Sequence, residues 1–198
     1  MMTKARTRRE DRPVIILDAA ERLIRRSGTR TLTIDAVAAE ASLSKGGVLH
    51  HFSSKDALIT ALAERKLQSI KDDIAQHEAD QAPGVSALPL AMIAHAKTSY
   101  CDEDGFPRAL LLATADNPEA CAGFNEFLRQ HLARLEEIPG VASEAAMITF
   151  ATLGLMISRT LGFHNLEGQE LARFFDALEA AARSLPEKSR SPGHTVEP

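Results

Sequence analysis

The stretch from Thr33 to Phe52 constrains this chain more than any other. Ile34, Val37, Ala38 and Ala41 recur at the spacing of one helical face, and Thr33 stands just ahead of them. Its hydroxyl can take up an otherwise unpaired amide of the first turn, which makes Thr33 an N-cap candidate. Ser42 and Leu43 form a turn, Ser44 is the next N-cap candidate, and Lys45 to Phe52 makes a third short helix with Val48 and Phe52 inward. Upstream, Ile16, Ala19, Ala20, Leu23 and Ile24 share a face, with Arg22, Arg25 and Arg26 on or beside the other side and Gly28 as the stop. Two short helices joined by a tight turn, behind a longer one, read as a helix-turn-helix.

The charge distribution points the same way. The formal net charge is -4, yet residues 1 to 55 hold 11 Lys or Arg against 6 Asp or Glu, leaving 12 against 21 for the remainder. One end suits a polyanion and the rest does not. Hydrophobic residues at 44% and charged residues at 25% of 198 are the balance of a globular protein. The uncharged stretch Ala145 to Ser158 falls short of the roughly 20 residues a membrane span requires. The apolar run Val14 to Leu17 is too short for a secretory signal, so no membrane partner and a cytoplasmic location are expected. Cys101 and Cys121 are then free thiols.

Thr33 to Phe52, continued by Ser53-Ser-Lys-Asp-Ala-Leu58, resembles the helix-turn-helix and the start of the fourth helix of the TetR-like bacterial transcription regulators. The resemblance covers about residues 13 to 65, with Ser44-Lys-Gly, His51-Phe52 and Ser54-Lys55 at fixed offsets. It implies a protein that binds double-stranded DNA as a homodimer on a palindromic operator, most often a repressor. Two positions depart from the pattern. Ser42 stands where the family often has a turn glycine, and Leu49 where a tyrosine commonly touches the DNA backbone.

A recognition helix must approach the major groove closely, and Gly46 and Gly47 have no side chains to hold it away. Thr33 and Ser44 start the two helices, Lys45 is placed for a phosphate or a base edge, and the resemblance assigns His51 and Lys55 to phosphates, with His50 beside them. Arg6 and Arg8 lie in a basic arm that either reaches the DNA or stays idle. Asp35 counts against DNA contact, being an acid on the helix that crosses the backbone.

The remaining pattern is helical throughout, giving an all-α fold. Ser53 and Asp56 have the spacing of a capping box opening a fourth helix to about His77. Pro83, Gly84 and Pro89 mark a break over Gln81 to Pro89. Helices follow at about 87 to 101, 107 to 115, 118 to 136, 143 to 162 and 168 to 184. The expected domains are a basic arm at 1–12, a three-helix DNA-binding domain at 13–56, a helical ligand-binding and dimerisation domain at 57–185, and a loose tail at 186–198.

In the body, Met92, His95 and Ser99 fall on one face of a helix and mix a thioether with two hydrogen-bonding groups. With Phe124, Phe127, Met147 and Phe150 they are candidates to line a pocket for a small hydrophobic effector. Gly154, Ser158 and Gly162 recur every four residues, a small-residue face for a partner helix, with Leu171, Phe174, Phe175 and Leu178 as the apolar surface of a dimer interface. Control by a protein partner through the same DNA-binding head is the alternative. No nucleophile, base and orienting group assemble, so no enzyme is expected, and no cofactor or metal is called for.

Overall fold

The computed structural model describes residues 11–100, 106–115, 117–137 and 140–186. Among the described residues there are nine α-helices and no strand. None of these helices is long and apolar enough to cross a membrane.

Helix α1, Arg12–Ser27, opens with Pro13 in its first turn, where no helical amide is lost. It stops at Gly28, whose φ of 72° is left-handed and whose amide donates to the Ile24 carbonyl at 2.8 Å. Its buried face is the expected set Ile16, Ala19, Ala20, Leu23 and Ile24. After a 3-10 turn at Thr29–Thr31, Thr33 caps α2, Ile34–Glu40, its Oγ1 accepting from the Ala36 amide at 3.1 Å. Ser44 caps α3, Lys45–Leu49, in the same way, its Oγ accepting from the Gly47 amide at 3.0 Å. Such caps are worth about 1 kcal/mol each, which matters for helices this short.

Helix α4, Lys55–Ala79, begins one residue away from the expected capping box. The Ser54 hydroxyl, not that of Ser53, accepts from the helix, taking the Ala57 amide at 3.0 Å. Adjacent serines offer the same chemistry, and the helix takes the phase that buries Leu58, Ile59 and Leu62.

The chain divides into two compact units. The first takes residues 1–70 and 102–127. Its core joins Ile16, Ile24, Leu32, Val37, Val48, Leu58 and Leu62 to Leu110 of α6, Phe106–Ala115, and Ala120 of α7, Pro118–Glu136. Fully burying one such aliphatic side chain stabilises by about 1.5–3 kcal/mol. Across its flank, Arg65 of α4 pairs with Asp18 at 2.6 Å and with Glu21, both on α1. The compact unit that holds the head is therefore larger than residues 13–56, because α6 and the start of α7 pack into it.

The second unit takes residues 71–101 and 128–198. Helix α5, Ala87–Tyr100, runs through its centre with eight buried residues, from Ala87 to Tyr100. Pro89 lies inside the first turn of α5, so the break predicted over Gln81 to Pro89 ends earlier. Helix α8, Ala142–Leu161, and helix α9, Gly168–Arg183, pack on α5. The Tyr100 hydroxyl donates to the Leu166 carbonyl at 3.2 Å, and its ring meets Phe175 edge-on at 5.9 Å. Lys97 pairs with Glu179 at 2.6 Å.

Candidate nucleic-acid interface

Val48 anchors α3 by burying its side chain completely, and helical geometry then decides what faces outward. Lys45, Gly46, Leu49 and His50 are exposed, while Gly47 and His51 are half-buried. The two glycines differ in what the fold asks of them. A Cβ built on Gly47 would sit 3.2 Å from the Ser44 hydroxyl, whereas one on Gly46 meets nothing within 4 Å. Neither residue has a positive φ. Nothing within the described chain therefore requires glycine at 46, although glycine costs roughly 0.5–1 kcal/mol in a helix.

The polar groups around α3 are tied to one another. Lys45 Nζ lies 3.0 Å from Asp35 Oδ2, an exposed ion pair linking the two helices of the motif. Lys55, assigned to phosphates from the resemblance, donates from a half-buried position to the Thr29 carbonyl at 2.7 Å. That commits one of the three ammonium protons to holding α4 against the turn before α2. His50 and His51 meet edge-on, with ring centroids 5.0 Å apart. Behind them, Glu40 receives Arg22 and Arg26, both at 3.0 Å, and these hydrogen bonds hold its carboxyl below the usual carboxylate range. Ser42, in the turn, has a φ of 56°, the left-handed conformation for which glycine is better suited. Arg6 and Arg8 lie outside the described residues.

The seven expected pocket residues are divided between the two units. Met92 is buried on α5, Ser99 is half-buried, and His95 Nδ1 lies 2.5 Å from Asp73 Oδ2. Phe124 and Phe127 are half-buried and belong to the first unit, where Phe124 packs on the head's core. Met147 and Phe150 are 67% and 52% exposed on α8. The first unit has an open groove of about 370 Å³ between the 3-10 turn and α6, with Arg30 and Arg108 on its walls. The sequence carried no signal for it, since its two sides are far apart in the chain.

The small-residue face also resolves into different roles. Gly154 is exposed, and a Cβ there would meet nothing within 4 Å, so no packing among the described residues demands it. Gly162 is instead the left-handed cap of α8, with φ 78°. The Ser158 hydroxyl lies 2.8 Å from His164 Nε2 and bonds back to the Gly154 carbonyl. Phe174 is exposed and Leu171 half-buried, whereas Phe175 and Leu178 are buried within the chain. Sequence reasoning missed Ile157 and Phe163, which are 46% and 78% exposed.

A helical bundle headed by a capped helix-turn-helix defines a class of helical DNA-binding regulators. Residues 16–62 match the family of bacterial regulatory proteins named for TetR, and residues 90–183 match a tetracycline repressor-like C-terminal domain. The chain belongs to the TetR family, whose members are DNA-binding transcription regulators. It is 33% identical, over 85 residues, to an uncharacterised HTH-type transcriptional regulator from the dhlA 5′ region of Xanthobacter autotrophicus. That match spans 40% of this chain and 42% of the relative. The fold resembles the TetR-family regulator SCO4454 of Streptomyces coelicolor, with TM-score 0.65 and 20% identity over 89% of this chain and 96% of the other. It also resembles the multidrug binding protein EbrR complexed with imidazole, with TM-score 0.67 and 20% identity over 91% and 97%. A SmeT–triclosan complex aligns with TM-score 0.62 and 22% identity over 94% and 98%. At these identities the structural likenesses establish the fold alone.

Proposed function

We propose that the protein is an effector-responsive repressor that binds a palindromic operator as a homodimer. The observation that carries this reading is the outer face of α8. Met147, Phe150, Gly154 and Ile157 follow one another at spacings of three, four and three, and all four are exposed. An apolar stripe of this kind costs solubility unless covered. A second copy related by a two-fold axis would cover it and set two reading heads on half-sites about one helical turn, roughly 34 Å, apart. Phe174 and Leu171 extend the face. Met147 and Phe150 therefore move from the effector pocket to the interface, and Gly162, Phe175 and Leu178 support the fold rather than touching a partner.

At the head, residues 13–56, α3 enters the major groove. Lys45 and His50 face base edges or phosphates, and His51 and Lys55 lie toward phosphates. Thr33 and Ser44 present helix N-termini, Gly46 and Gly47 permit the approach, and Arg6 and Arg8 in the arm at 1–12 add charge. The body, residues 57–185, takes a small hydrophobic effector near Met92, His95 and Ser99 on α5. EbrR with imidazole and SmeT with triclosan are precedents for small-molecule binding on this fold. Helix α4 carries both Leu58, buried in the core of the first unit, and Asp73 of the second, which pairs with His95. A ligand that displaces this contact biases α4 by its differential affinity, about 1–3 kcal/mol in typical couplings.

Sedimentation of Phe150→Glu together with operator footprinting tests the reading. A monomer that no longer protects two half-sites supports it. A dimer as stable as the parent, still protecting both, removes this face from the interface and leaves it to a protein partner.

A further inference from the structure

The exposed side of α3 poses a question that the charge pattern does not answer. Gly46 contributes no side chain, and Lys45 is paired with Asp35 across the motif. Between them and His50 stands Leu49, 40% exposed at the end of α3. Lys45 and Leu49 are four residues apart and lie along one edge of the helix, with Cβ atoms about 5–6 Å apart. A branched apolar side chain beside a cation makes no hydrogen bond to a phosphate. The one apolar group that the major groove displays is the C5 methyl of thymine.

We infer that Leu49 is a specificity-determining residue that reads a thymine methyl in the major groove. The inference rests on the placement of α3 in the groove. The open space at Gly46 lets the helix approach until Leu49 reaches the base edges, where its exposed area is buried against the methyl. Because the Lys45–Leu49 spacing of about 5–6 Å spans one to two base steps of about 3.4 Å, the thymine lies one or two steps from the base pair nearest Lys45. In a palindromic site it occurs once in each half.

The test begins by enriching duplexes from a randomised pool with the full chain, then replacing each thymine of the winning site by deoxyuridine, which removes only the methyl. The parent protein loses about fourfold in affinity for each methyl removed at one symmetric thymine pair, the amount expected for a buried methyl. Leu49→Ala binds the thymine and deoxyuridine duplexes equally, while its melting temperature, measured without DNA, reports any loss of fold. If the parent tolerates deoxyuridine everywhere, the inference is wrong. It is also wrong if the methyl dependence persists in Leu49→Ala, which would assign the contact to a neighbour such as His50. If no duplex is enriched at all, the placement of α3 falls, and this contact with it.

Discussion

Gly46→Ala separates what α3 needs in order to fold from what it needs in order to bind. The added methyl enters open space, with no atom within 4 Å, at a helical position whose φ is not positive. Replacing glycine by alanine inside a helix stabilises by roughly 0.5–1 kcal/mol, with the lower end fitting a helix of five residues. For a chain of this size that raises the melting temperature by about 1–4 °C. With α3 placed in the major groove as proposed, the same methyl stands on the exposed side of the helix, between the backbone and the DNA. Pushing the helix back by about one methyl's thickness loosens every contact made from its first turn, and a loss of 1.4 kcal/mol is already about tenfold. The assay is a thermal melt paired with anisotropy titration of the enriched duplex at fixed salt, because phosphate contacts make affinity steeply salt-dependent. A more stable protein that binds at least tenfold more weakly is the expected result. A variant that binds as tightly as the parent would show that Gly46 does not face DNA, and one that melts lower would show that the helix itself needs the glycine. Gly47→Ala is the internal contrast: its methyl would sit 3.2 Å from the Ser44 hydroxyl and disturb the cap, so its gain in stability should be smaller or absent.

Three further outcomes are expected. Ser42→Gly relieves a left-handed residue at φ 56° and raises stability by up to about 1 kcal/mol, part of the relief being offset by the freer unfolded chain; a fall in denaturant midpoint would contradict this. His131 is buried, and burial first, then Arg134, hold its pKa down to about 4 from 6.5, so the folded state favours neutral imidazole. Its folded pKa lies below the unfolded one, so stability is full above pH 6.5 and falls as pH drops toward 4, by at most about 3 kcal/mol, and His131→Gln should flatten the melting profile over that window. Lys55→Ala loses the bond to the Thr29 carbonyl, lowering stability by about 1 kcal/mol, and flattens the salt slope of DNA binding by about 0.9 if a phosphate is also lost; an unchanged slope would make Lys55 purely structural.

The elements legible in advance share one property: their determinants lie within a few residues of each other. Thr33 and Ser44 cap because a hydroxyl three residues ahead of a free amide needs no tertiary help. The buried face of α1 follows from periodicity, since Arg22, Arg25 and Arg26 leave only one side apolar. Helix α8 is the opposite case. Ala145, Ile148, Thr149, Thr152 and Leu155 are buried and Met147, Phe150 and Ile157 exposed, so it is apolar on two sides. Periodicity cannot say which side α5 and α9 will cover, so the exposure of Met147 and Phe150 was not legible in advance.

By itself the sequence determined the helices, the caps at Thr33 and Ser44, the basic head and the turn at Ser42, because each depends on local hydrogen bonding, backbone conformation or net charge. Tertiary structure decided which serine opens α4, that Leu110 joins the head's core, that Lys45 meets Asp35 and Lys55 meets Thr29, and which face of α8 is left open. These are matters of partner choice between groups far apart in the chain. A helical face specifies only that it must be covered; the packing of the whole chain specifies by what.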